Sequence, residues 1–283
     1  MAALLALLAA VTYGVCDFLG GLGGRRVAAA LVPIPMQAVA LVTVGIAILC
    51  GFGGQPTLAV LTWGAIGGIG SGVGNAALLR GLAGGRMSVV APVSAVLAAA
   101  VPSVVGVVSG DRLTLFAWLG VALAFPAIAL TSWTRGPAGS PLRDVGYGVV
   151  AGCGFGLLFV AVDRAGPDAG AWPLLPGQFV ALLVVLVAAT PEIARLRRRG
   201  ERLDVGTAVR WGAAAGALGA VANLLFLAAT AHGQLTVIAV LTGLYPAVTV
   251  LLAALVLRER IHRQQAVGLV AAAVAVALIV TSG

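Results

Sequence analysis

Of the nine carboxylates in this sequence, only Asp17 falls clearly inside a long apolar run, and Asp163 closes another. An ionised aspartate at the centre of a spanning helix costs about 2.5–3.5 kcal/mol on insertion scales, so its presence asks for a reason. One reason is proton coupling, since a carboxylate whose charge is costly to bury can take up and release a proton. The plainer alternative is that Asp17 reaches interfacial water or pairs with Arg25 or Arg26 further along the chain. Four neutral amides also sit in apolar runs: Asn75, Asn223, Gln37 and Gln178. Each offers donors and an acceptor to a polar or zwitterionic substrate without the cost of a buried charge. Their alternative role is to join helices, where such bonds contribute about 0.6 to 2 kcal/mol. Tyr13, Phe155 and Tyr245 would shape a cavity and present faces to a cation. Tyr245 precedes Pro246, whose missing donor either opens the backbone toward a cavity or simply kinks the helix.

Other chemistries find no support. His232 and His262 stand apart from any cysteine or carboxylate cluster, so a metal site is not expected. The runs GIGSG and GLGG lack the lysine and acidic residue that a nucleotide loop needs, so no cofactor is expected either. An intramembrane enzyme would want a second buried aspartate, a Ser/His pair or a metal cluster. The expectation is therefore a protein that is not an enzyme.

The elements that carry these residues follow from composition. The chain has 283 residues, 61% hydrophobic and 9% charged, with a mean hydropathy of +1.11. A soluble domain carries about 25% charge, so soluble, disordered and nucleic-acid-binding classes are excluded and the lipid bilayer is the expected surrounding. A spanning helix takes about 20 apolar residues. Charges and Gly/Pro clusters cut the chain into ten such pieces: 2–21, 28–50, 58–80, 87–109, 114–133, 145–163, 171–190, 207–230, 234–257 and 264–281. The two longest connections, 134–144 and 191–206, are too short for a soluble domain. Trp118, Trp133 and Trp172 read as interfacial anchors. Glycines spaced by four, such as Gly64, Gly68 and Gly72, read as close helix packing, with sliding or homodimerisation as alternatives.

All 17 basic residues are arginine, and 15 fall in loops after odd-numbered spans, against only Arg112 and Arg164 in the others. Since basic loops are retained in the cytoplasm, both termini are expected outside. A 148-residue shift superposes Trp63-Gly64-Ala65 on Trp211-Gly212-Ala213, Asn75 on Asn223, Gly85 on Gly233 and Arg112 on Arg260. Nineteen of the 68 positions from Trp63 to Leu130 are identical, and the rare Trp and Asn coincidences decide that this is a repeat. Shifts of 141 and 142 pair Gln37 with Gln178 and Tyr13-Gly14 with Phe155-Gly156. Five spans per copy make the second copy enter the bilayer from the opposite face. Inverted repeats with a site at their interface are a recurrent architecture of secondary transporters.

Three pieces then carry a family resemblance: Tyr13-Gly14, the segment SVVAPVSAVLAAAVPSVVG around Ala91-Pro92, and TVIAVLTGLYPAVTVLLAALVLRER from Thr236 to Arg260. The chain resembles the drug/metabolite transporter superfamily, in particular its ten-helix members built from two EamA domains. The resemblance implies an all-α membrane protein of ten transmembrane helices, with one repeat over 1–133, a connector at 134–144 and a second repeat over 145–283. It implies a gradient-driven carrier of a small polar metabolite, whether amino acid-like, sugar or cation, in a bacterial cytoplasmic membrane. A channel or a non-transporting scaffold is the alternative. Many relatives keep both termini in the cytoplasm, whereas the arginines here argue the reverse.

Overall fold

A computed structural model describes residues 1–83, 87–133, 141–201 and 203–281. Arg86, Arg135, Arg202, Gly85 and connector positions 134–140 lie outside the described residues. The α-helices are α1 (Ala2–Gly24), α2 (Pro33–Ala47), α3 (Leu58–Ala83), α4 (Met87–Val108), α5 (Leu115–Thr131), α6 (Pro141–Arg164), α7 (Leu174–Arg198), α8 (Val205–Thr230), α9 (Leu235–Gly243), α10 (Tyr245–Val256) and α11 (Arg263–Val280). Among the described residues, eight apolar stretches are long and apolar enough to cross a membrane, with α9 and α10 together forming one of them, and α5 is a shorter apolar helix. Seven of the 26 residues of α3 are glycine, which dilutes its hydropathy but not its length.

Helix boundaries differ from the sequence reading where local chemistry favours more helix. Pro191 to Arg198, expected as loop, continues α7. The segment is rich in helix formers, Glu192 and Arg195 pair at 3.6 Å, and Arg195, Arg197 and Arg198 face the negative end of the helix dipole. Pro141 to Asp144, expected in the connector, open α6 with a proline and an acidic first turn, both favourable at a helix start. The second span is also not one regular helix. It begins as a 3-10 turn (Ala29–Leu31), and Gly51 at φ 95° closes its final π turn.

Glycine rows set how closely the helices approach. Gly64 and Gly68 of α3 press on the backbone of Pro173 and Gly177 at the start of α7, while Gly67, Gly70 and Gly74 face α6. A Cβ added at Gly70 would lie 2.5 Å from the Gly154 carbonyl oxygen. Gly148, Gly152 and Gly156 do the same for α6 on α4, and Gly212 and Gly216 for α8 on α2. The main contacts thus pair α3 with α6 and α7, α8 with α1 and α2, α4 with α6 and α9, and α5 with α11. Large side chains such as Leu4, Leu8, Val11, Val187 and Val270 point outward, as lipid-facing positions require.

The loops sort into two ends. At one, Arg25 pairs with Glu259 at 2.9 Å, Arg26 lies 4.8 Å above the Trp211 ring, Arg80 donates to the Ala188 carbonyl and Gln265 to that of Trp133. At the other, Gln55 N–H donates to Asp168, Gln234 to the Arg112 carbonyl and Arg164 to Ser109, and Ala2 lies against Gly233. The arginine-rich loops therefore share one end. Arg112 and Arg164 share the other with the N-terminus.

Candidate functional site

The inward face of α1 is set by helical period. Ala6, Ala9 and Ala10 are buried, whereas Leu4, Leu8 and Val11 on the opposite face are exposed. Tyr13 and Asp17 continue the buried face, one and two turns past Ala10. Cys16 meets α8 at Gly219 on one flank, and Gly14 meets α10 at Val248 and the Tyr245 carbonyl on the other. Asp17 points between these two helices, yet its residue is exposed. An accessible carboxylate on an otherwise buried face lines interior space rather than lipid. Gly20 and Gly21, the next turn toward the arginine-rich end, have no neighbouring atom within 4 Å of an added Cβ.

Above Asp17 lies an aromatic layer. The Tyr13 hydroxyl donates to Asn223 Oδ1 at 2.7 Å, and Asn223 Nδ2 donates to the Gly219 carbonyl at 3.0 Å. Tyr13 stands edge-on to Phe159 with centroids 6.0 Å apart and is tilted against Tyr245 at 6.3 Å; Phe159 packs on Phe226 at 4.4 Å. Phe159 and Phe226 are buried, while Tyr13 and Tyr245 keep part of their surface open. Asp17 lies one turn past Tyr13 and next to Cys16 on α1.

Tyr245 reaches this layer because its span is broken. Leu244, at φ −77° and ψ 3°, separates α9 from α10, and Pro246 lacks the donor that would continue the ladder. Thr242 donates to the Ala6 carbonyl at 3.4 Å and Thr249 to the Gly14 carbonyl at 3.2 Å, so both halves are tied to α1. Pro92, Pro102 and Pro126 stay inside continuous helices.

Tyr13, Asn223 and Tyr245 therefore meet, with Asp17 one turn further along the same face of α1, whereas the other candidates do not join them. Asn75 donates to the Ser71 carbonyl of its own helix, and Phe155 packs at Gly74 on the α3–α6 contact. Phe155 has no hydroxyl, so the repeat mate of the Tyr13–Asn223 bond cannot form. Gln37 is buried on α2, beside the Met36 that meets Gly216. Gln178 lines a void of about 10 Å³ with Trp63, Ser71 and Leu158, room for about one water. Arg25 and Arg26 are engaged by Glu259 and Trp211, so the pairing considered for Asp17 is not the one adopted.

Two features escaped the sequence reading. Phe159 is the mate of Asp17 at a shift of 142, a signal present in the repeat but one that does not foretell the ring stack. Asp111, the mate of Glu259 at 148, accepts the Thr236 N–H at 2.8 Å, with the Thr236 hydroxyl at 2.7 Å, and so fastens the start of α9.

Residues 144–281 match the model of the EamA-like transporter family. The matched segment is just under half of the chain and runs from α6 to α11. The match supports a multi-pass membrane transporter of the drug/metabolite superfamily, and the fragment Thr236 to Arg260 that carried the resemblance lies within it. A solved protein crystal structure superposes on this protein with a TM-score of 0.71 at 16% identity, over 99% of this chain and 97% of that one. At such identity the likeness speaks for the fold alone, but it extends over α1 to α5 as well as the EamA segment. The comparison with curated proteins gives no match.

Proposed function

We propose that this protein is a gradient-driven secondary transporter of a small polar metabolite, working by alternating access between two inverted five-span halves, 1–133 and 145–283. The observation that carries the reading is Asp17: an accessible carboxylate on the buried face of a spanning helix, beside a span broken at Leu244. Carriers place substrate and coupling ions at such broken helices near the bilayer midplane. Support for two halves comes from mirrored packing, since α1 lies on α8 as α6 lies on α3. The nineteen identities of the 148-residue shift point the same way. Asp17, one turn past Tyr13 on the same face of α1, is the coupling carboxylate in this reading. The clustered arginines put their end in the cytoplasm and both termini outside, in a bacterial cytoplasmic membrane.

The test is counterflow in proteoliposomes with pooled labelled amino acids, sugars and organic cations. Saturable exchange of one class is expected, reduced several-fold by Asn223→Leu, which removes the partner of Tyr13. Asp17→Asn is expected to abolish pH-driven flux. Conductance without saturation would replace the carrier by a channel, and unaltered pH dependence in Asp17→Asn would remove the coupling role.

A further inference from the structure

The site around Asp17 has one sign of charge. Among the described residues no arginine pairs with its carboxylate: Arg25 is held by Glu259, and Arg26 by the face of Trp211. Tyr13 lies one turn back on the same face of α1 with its ring 6.3 Å from that of Tyr245, and Cys16 directly precedes Asp17 in the chain. A zwitterion or an anion would need a cationic partner for its own carboxylate or phosphate, and the described part of the site offers none. A sugar would need several polar side chains around a ring, but Asn223 is buried, with one acceptor site of Oδ1 taken by Tyr13 and one hydrogen of Nδ2 by Gly219. What the site does offer is one carboxylate and the partly open rings of Tyr13 and Tyr245, backed by the buried Phe159–Phe226 stack. Carboxylate and aromatic faces together are the pairing that attracts an ammonium group.

We propose that the transported molecule is an amine, whose ammonium group is held between the Asp17 carboxylate and the faces of Tyr13 and Tyr245. This rests on the transporter reading and narrows its substrate to organic cations. The repeat explains why there is one such site and not two. The mates of Tyr13 and Asp17 are Phe155 and Phe159, so the second half supplies rings where the first supplies the hydroxyl and the charge. Access is from the arginine-rich end, because Gly20 and Gly21 leave open space on that side of Asp17 while the Phe159–Phe226 stack fills the other. Arginines at that end do not repel the ligand strongly where they are paired, as Arg25 is.

The test uses tetramethylammonium, butylammonium and benzyltrimethylammonium, with benzyl alcohol as the neutral counterpart. Binding to purified wild type is read by calorimetry, and counterflow is read in proteoliposomes. Saturable binding of at least one cation, and none of benzyl alcohol, is expected. Asp17→Asn should weaken that binding at least tenfold, Asp17→Glu should retain most of it, and Tyr245→Leu should weaken it several-fold. Circular dichroism and melting of each variant separate loss of binding from loss of fold. Cation binding without counterflow would keep this site and remove the transporter reading. Counterflow of a sugar or amino acid, with no cation bound or competing, would keep the transporter and overturn the amine inference. Failure of all three cations to bind, or equal binding by Asp17→Asn, overturns it as well.

Discussion

Asn223 shows how a single polar group in an apolar helix is used. Its amide is buried and donates to its own helix, so the oxygen is left pointing at Tyr13 and fixes that ring in the layer above Asp17. Leaving a buried hydroxyl without its partner costs about 1–3 kcal/mol, so replacing Asn223 by leucine disturbs Tyr13 before it disturbs the fold. Outside the bilayer, Asp204 does a different task. Its Oδ1 accepts the Thr207 N–H at 2.9 Å and caps α8, and this bond, aided by the Thr207 hydroxyl, holds its carboxyl below the usual carboxylate range. A depressed folded-state value stabilises above the unfolded carboxylate value of about 3.9 and stops doing so as pH falls through the folded value. Asp204→Ala is therefore expected to lower the melting temperature in detergent at pH 7. The gap to wild type should close as the pH is taken below about 4, and a gap that stays constant would contradict the capping role.

At the scale of elements, contact between helices is governed by glycine rows and by one break. Gly68 presses on the backbone of Gly177, and backbone cannot move aside as a side chain can. Gly68→Val is expected to destabilise by about 1–3 kcal/mol or more through overpacking. Gly45 has nothing within 4 Å of an added Cβ, so Gly45→Ala should be neutral or stabilising by up to about 1 kcal/mol from helix propensity. Thermal melts of both in the same detergent check the pair; equal effects would mean that the α3–α7 contact is looser than described. The break at Leu244 depends on Pro246 and is braced by Thr242 and Thr249. Pro246→Ala returns the missing donor. Slower counterflow with an unchanged or higher melting temperature is the expected result, whereas unchanged exchange would reduce the break to a packing kink.

For the whole molecule, the arrangement of loops turns an arginine count into a polarity. Arg25, Arg80, Arg195, Arg199 and Arg263 belong to loops or helix ends that the fold gathers at one end, while Arg112 and Arg164 lie at the other. Basic residues near span ends are retained in the cytoplasm, so this end is expected inside. In a variant with Cys16, Cys50 and Cys153 replaced by serine, Arg199→Cys should react with an impermeant maleimide only in inverted vesicles. Arg112→Cys should react only in right-side-out ones. The reverse pattern would invert the topology and with it the direction from which Asp17 is reached.

Much of this was legible in one dimension because a bilayer penalises any polar group without a partner, which forces long apolar helices and makes the exceptions stand out. The all-helical apolar character of the chain and the close glycine packing follow from that constraint, which together with the repeat also singles out Asp17, Tyr13, Asn223 and Tyr245 as candidates. Three things needed the tertiary structure. Asn75 and Asn223 are equal in the alignment, but only Asn223 faces a tyrosine hydroxyl, because partner identity depends on the helix packed opposite. The choice of Arg25 between Asp17 and Glu259 turned on which loops meet at one end, 234 residues apart in the chain. The place of Phe159 in the ring stack came only from its helix packing against α1 and α8, since hydropathy records that a residue avoids water and not which neighbour covers it.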